Sequence, residues 1–214
     1  MRFISTRGKS GKVSAAEAII KGLADDGGLF VPEYFPKVFQ KLKEKASISY
    51  EELSFEIIKE FFDDIPEEDL KEAIDEAYKG RFEILEKGAF LELYHGPTSA
   101  FKDVALLFLP QIMKKAKKVL AINDEITILT ATSGDTGKAA LEGFHDVEGF
   151  KCVVYYPKNG VSAIQERQMN TQVGNNVKVI AIEGNFDDAQ RSVKNIFADE
   201  ELKIMESYCR QQIL

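Results

Sequence analysis

From Ile126 onward the chain keeps one rhythm. Ile126–Leu129, Cys152–Tyr156 and Val177–Ile182 read as short apolar strands, and Thr136–Phe144, Ser162–Val173 and Asp187–Phe197 read as the helices that follow them. Strands separated by helices cannot pair as hairpins. They form a parallel sheet with helices on both faces, a three-layer α/β/α arrangement. In such a sheet ligands bind beyond the carboxyl ends of the strands, so the loops leaving those ends are where chemistry is expected.

The first part of the chain reads differently, as short strands mixed with helices. Ser14 with Glu17 makes a capping box for a helix through Gly22, Asp25-Asp26-Gly27-Gly28 is a turn, and Leu29–Val31 before Pro32 is a short strand. Ser49 with Glu52 opens a second helix to about Phe62, and Pro66 opens a third to about Lys79. The charges on these helices read as solvated faces. Phe90–Tyr94 is a strand, followed by a long helix over Lys102–Lys118 in which Pro110 predicts a kink or a break just before it. The change of rhythm places a boundary near Gly88, with an α+β domain over 1–88 and an α/β domain over 89–214.

The balance of residues excludes several functions. At 214 residues, 44% hydrophobic and 29% charged, the composition is that of a globular protein. A net charge of −7 argues against a nucleic-acid partner, and the basic cluster Lys114, Lys115, Lys117 and Lys118 falls at a helix end where it complements the dipole. Cys152 and Cys209 make neither a disulfide framework nor a metal signature, so no metal is expected and a reducing compartment is. The opening residues lack the apolar stretch of a signal peptide, and no run approaches the roughly 18 apolar residues of a membrane span. The expected location is the cytoplasm.

Two segments carry chemistry. In His95-Gly96-Pro97-Thr98-Ser99-Ala100-Phe101-Lys102-Asp103 a lysine stands at the mouth of a helix, and Lys102, Ala105, Leu106, Leu109 and Met113 share one face at helical spacing. Burial disfavours an ammonium, and a neutral amine can form a Schiff base with an aldehyde. The plainer alternative is a lysine that snorkels at the edge of a core helix. Thr130-Ala131-Thr132-Ser133-Gly134-Asp135-Thr136-Gly137 leaves a strand and enters a helix, a place where hydroxyls and open N–H groups can bind a carboxylate. Here the alternative is that Asp135 or Thr136 caps the helix. Gly134–Ala139 is not a phosphate loop, because Thr132 and Ala139 stand where a Walker motif needs Gly and Ser or Thr.

The lysine stretch resembles that of threonine synthases, whose pattern runs H-G-P-T-x-A-F-K-D, and the second stretch resembles their Ser-Gly-Asp-Thr loop. The resemblance runs from Ser14–Pro32 through about Leu202. It implies a fold like that of tryptophan synthase β, pyridoxal 5'-phosphate (PLP) as cofactor, and conversion of O-phospho-L-homoserine and water to L-threonine and phosphate, the last step of threonine biosynthesis. By the same resemblance Lys102 holds the cofactor and then moves protons at Cα and Cβ. Phe101 and Asp135 lie beside the cofactor, and Ser133, Gly134, Thr136 and Gly137 receive the substrate carboxylate. His95 and Lys158 are further candidates for touching substrate, set against a structural histidine and a solvated loop lysine. Another β-replacing or eliminating enzyme of the fold, or a non-catalytic truncated relative, are the alternatives.

The chain departs from the pattern in two places. Gly184-Asn185-Phe186 resembles the start of the family's Gly-Asn-Phe-Gly phosphate cradle but continues Asp187-Asp188-Ala189, and acids at a helix start suit capping better than phosphate. The tail Glu206–Leu214 also departs from the family's usual continuation. The expectation is an N-terminal fragment whose sheet is incomplete, which alone carries little PLP and no activity, and which can self-associate as a homodimer.

Overall fold

A computed structural model describes residues 1–38, 42, 48–198 and 209–213. The chain divides into two compact units, Met1–Arg81 with Gln111–Ile122, and Phe82–Pro110 with Asn123–Leu214.

In the first unit β1 (Phe3–Ser5) pairs antiparallel with β2 (Phe30–Pro32). Helix α1 (Ala15–Lys21) starts at the Ser14–Glu17 capping box and stops at Gly22, whose φ of 67° ends the helical path. Helix α2 (Tyr50–Ile58) opens with the Ser49–Glu52 box and ends short of Phe62. It packs on α3 (Glu67–Tyr78), which begins after Pro66. Leu70, Ala73, Ile74 and Ala77 recur at three- and four-residue spacing and are buried, each large one contributing about 1.5–3 kcal/mol. The acids of α3 are more than a solvated face. Asp69 is buried and accepts from Lys118 Nζ at 3.0 and 3.1 Å, Glu72 takes Lys115, and Glu76 takes Lys114 at 3.1 Å.

In the second unit β3 (Glu83–Lys87) and β4 (Phe90–His95) form an antiparallel hairpin, a separate two-stranded sheet. The predicted long helix is two. Helix α4 (Asp103–Leu106) stops, and α5 (Phe108–Val119) starts after Leu107, just before Pro110. Leu107 keeps helical angles across the break, and the expected apolar face is only partly buried: Leu106 and Met113 are buried, Leu109 and Lys102 are half-buried, and Ala105 is exposed.

The parallel sheet has the order β7-β6-β5-β8, with β5 (Glu125–Ala131), β6 (Phe150–Pro157), β7 (Val177–Ile182) and β8 (Cys209–Ile213). Register sets Ile126 beside Phe150, Ile128 beside Cys152 and Thr130 beside Val154, and all six are buried. That shared face is the core. Helix α6 (Asp135–Phe144) packs on β6 and β5, α7 (Ala163–Asn170) packs on α6, and α8 (Phe186–Ala198) packs on β5 and β6. Three of the four strands are where the alternation predicts them, and β8 was not foreseen. The tail Glu206–Leu214 falls partly outside the described residues, as does the Cys209 side chain. The start of α8 is capped as expected. Asp188 N–H donates to Asn185 Oδ1 at 3.0 Å, and Asn185 N–H donates to Asp188 Oδ2 at 2.9 Å.

Candidate active site

Strand β4 ends at His95 and the chain turns at once. Ser99 N–H donates to the Gly96 carbonyl at 3.1 Å, and Ser99 takes φ 56°, a left-handed conformation uncommon outside glycine. Asp103 holds this turn from inside, accepting from Thr98 N–H at 2.9 Å and from the Thr98 hydroxyl at 2.6 Å. Burial pushes the Asp103 carboxyl up, and the two bonds from Thr98 oppose the push. Gly96 makes the room, since a Cβ there would stand 2.4 Å from Asp103 Oδ2. Lys102 is thus flanked by a fixed turn and a buried anchor.

Strand β5 delivers the second segment. Thr132 is buried at its end, and Thr132 Oγ1 accepts from Gly134 N–H at 3.0 Å and Gly137 N–H at 2.8 Å. Gly134, at φ 146° and ψ −86°, is the residue before α6 and makes no side-chain cap. Neither Asp135 nor Thr136 caps the helix. Asp135 Oδ1 instead accepts from Thr136 N–H at 2.9 Å. Gly137 packs against the strand, where a Cβ would stand 2.5 Å from Thr132 Cγ2 and 2.7 Å from Val154 Cγ1. With the Gly134 and Gly137 amides turned inward, the N–H groups of Ser133 and Asp135 and the exposed Ser133 hydroxyl are the donors open to a ligand among the described residues.

The two segments meet through one bond. Lys102 Nζ donates to Thr136 Oγ1 at 2.9 Å and lies 5.3 Å from the centre of the exposed Phe101 ring. The partner is a neutral hydroxyl, which leaves the amine uncommitted to any charge.

The remaining candidates are engaged elsewhere. His95 Nε2 lies 2.7 Å from Glu92 Oε2 and its ring stacks on Tyr94 at 4.4 Å. Lys158 Nζ donates to Glu183 Oε1 at 2.8 Å on the exposed surface. Sequence reasoning passed over Thr132, whose signal was a hydroxyl at a strand end two and five residues before glycines. Among the described residues no cluster of three His, Cys, Asp or Glu could hold a metal ion, and no helix is long and apolar enough to cross a membrane.

Residues 85–213, more than half of the chain and including both segments, match the family described as pyridoxal-phosphate dependent enzyme. The chain belongs to that family. Residues 2–78 of this PLP-dependent family member also match the threonine synthase N terminus. It is 41% identical over 212 residues to a threonine synthase of Pseudomonas aeruginosa, covering 94% of this chain and 44% of that protein. With a threonine synthase of Schizosaccharomyces pombe it shares 39% identity over 219 residues, 93% of this chain and 42% of the relative. In three dimensions it resembles the PLP-bound threonine synthase from Brucella melitensis with a TM-score of 0.88 at 35% identity, covering 100% of this chain and 47% of that one. The chain spans less than half the length of these relatives. The parallel α/β architecture is the one this family shares, seen here in part.

Proposed function

We propose that this chain carries the lysine and the carboxylate loop of a PLP-dependent threonine synthase, acting in the intact polypeptide on O-phospho-L-homoserine and water to give L-threonine and phosphate. The observation that carries the reading is the Lys102–Thr136 bond, which joins the two segments on one centre. The residues suit the cofactor: an amine bonded only to a neutral hydroxyl, an adjacent aromatic ring, and an acidic side chain at the start of α6.

When bound, PLP supplies an electron sink for bonds at the substrate Cα. Lys102 Nζ would hold it covalently, and the same amine would hold and move the protons at the substrate Cα and Cβ. Thr136 Oγ1 fixes where Nζ waits. The Ser133 hydroxyl and N–H, with the Asp135 N–H, receive the substrate carboxylate. Gly134 and Gly137 serve by letting the backbone fold inward onto Thr132. The Asp135 carboxylate, oriented by Thr136 N–H, and the Phe101 ring beside Lys102 would lie next to the cofactor.

His95 and Lys158 have weaker support, given their partners Glu92 and Glu183. A cytoplasmic location is part of the same proposal. The division near Gly88 is proposed with it; the two family matches meet a few residues earlier, between residues 78 and 85.

Borohydride reduction of the intact polypeptide loaded with PLP should fix the cofactor on the peptide that contains Lys102. Lys102→Ala should abolish threonine formation. Cofactor mass on another lysine would overturn the assignment.

A further inference from the structure

Gly134 is covered by a side chain from another helix. A Cβ on Gly134 would fall 2.4 Å from Gln165 Cδ and 2.5 Å from both Gln165 Nε2 and Oε1, so the flat face of the Gln165 amide lies against the Gly134 α-carbon. The amide is held there. Gln165 is the third residue of α7, its N–H donates to Ser162 Oγ at 3.3 Å, and Ser162 N–H at 3.4 Å and Ser162 O–H at 3.0 Å both donate to Gln165 Oε1. The atom receiving two donors is the oxygen, which makes the amino group the opposite edge of the amide. Its N–H groups meet no acceptor among the described residues. Capping of α7 needs only the oxygen of Gln165; it does not require the side chain to cover a glycine in a different loop.

We propose that Gln165 is a positioning residue for the Ser133–Gly137 loop. It holds Gly134 at its φ of 146°, and its amino group adds donors beside the Ser133 and Asp135 amides where a ligand carboxylate arrives. The second half of this inference rests on the carboxylate reading of the loop, and the first half does not.

Two measurements separate them. Gln165→Glu keeps the length of the side chain and the acceptor for Ser162 but exchanges the donors for a negative oxygen. In the intact, PLP-loaded polypeptide it should raise the KM for O-phospho-L-homoserine, and the Kd for L-threonine followed by absorbance titration, by about tenfold or more, with kcat within about twofold. The second measurement needs no ligand. In urea unfolding, Gln165→Ala should recover the part of the stability lost in Gly134→Ala that comes from the amide contact, while the strain of a side chain at φ 146° remains. Strictly additive losses, or unchanged KM and Kd in Gln165→Glu, would overturn the inference. A wild type that binds no amino acid while the two substitutions remain coupled would overturn the carboxylate reading and leave the hold on Gly134 standing.

Discussion

A β-carbon on Gly143 would stand 2.0 Å from the carbonyl oxygen of Leu106 and 2.9 Å from its carbon. Leu106 is where α4 stops, and its carbonyl is the one that Pro110, four residues on and without an N–H, cannot satisfy. Helix α6 therefore lies against bare backbone, which cannot step aside as the tip of a side chain can.

Gly143→Ala sets two effects against each other. Alanine favours a helix by about 1 kcal/mol, whereas overpacking against backbone costs about 1–3 kcal/mol or more, and at this distance the clash wins. A net loss of about 2 kcal/mol is expected as a lower urea midpoint at unchanged slope. A stabilised variant would show that the contact yields.

Thr132→Val removes the acceptor of two loop amides while keeping the shape that packs on Gly137. Each amide left without a partner costs about 1–3 kcal/mol, enough to release the loop. On the proposed function, the KM of the intact polypeptide for the amino-acid substrate should rise more than kcat falls, and Thr132→Ser, which keeps the hydroxyl, should restore most of it. Equal behaviour of the two variants would remove Thr132 from the site.

The sheet and its helices were legible because their pattern is local: Ile126–Leu129 and Cys152–Tyr156 are the short, largely apolar runs of strands covered on both faces, and Ser14, Ser49 and Ser162 announce helices by the residue three places on. Strands β1, β3 and β8 were not legible. Three residues in β1 are too few for a period, Glu83–Lys87 is too charged to read as a strand, and the Cys-Arg-Gln-Gln-Ile sequence of β8 has no apolar alternation and is set by pairing with β5. In the candidate site Lys102 and Thr136 could be named from their motifs. Their mutual bond, the inward turn of the Gly134 and Gly137 amides, and the Gln165 contact depend on residues tens of positions apart.

Asp26 gives the first unit an acid-sensitive turn. The Ser5 hydroxyl at 2.6 Å is the main cause that lowers its carboxyl to about 2, with burial opposing and the N–H groups of Gly28 and Lys9 assisting. Because the folded value lies below the ordinary 3.8, the contribution is present above about pH 4 and is lost as pH falls toward 2. The stability difference between wild type and Asp26→Asn should therefore shrink over that interval. A difference that grows with acid would contradict the assignment.

Cys152 sits in the buried row of β6, and burial pushes its thiol up to about 12. A thiol held protonated and out of reach does not attack disulfide reagents. At pH 8 peptide mapping should find Cys152 unlabelled in the folded protein and labelled once urea unfolds it. Rapid labelling without denaturant would mean that this row opens on its own.

The strand order β7-β6-β5-β8 has a consequence for how the protein is made. Strands β5, β6 and β7 emerge in sequence and add outward in one direction, while the other side of β5 waits for Cys209–Ile213. Until that segment is synthesised, the strand that leads into Thr132 presents a row of unpaired N–H and C=O groups, the kind of edge on which nascent chains join one another. Translation that halts before Cys209 would leave an inner strand of the sheet as an open, adhesive border.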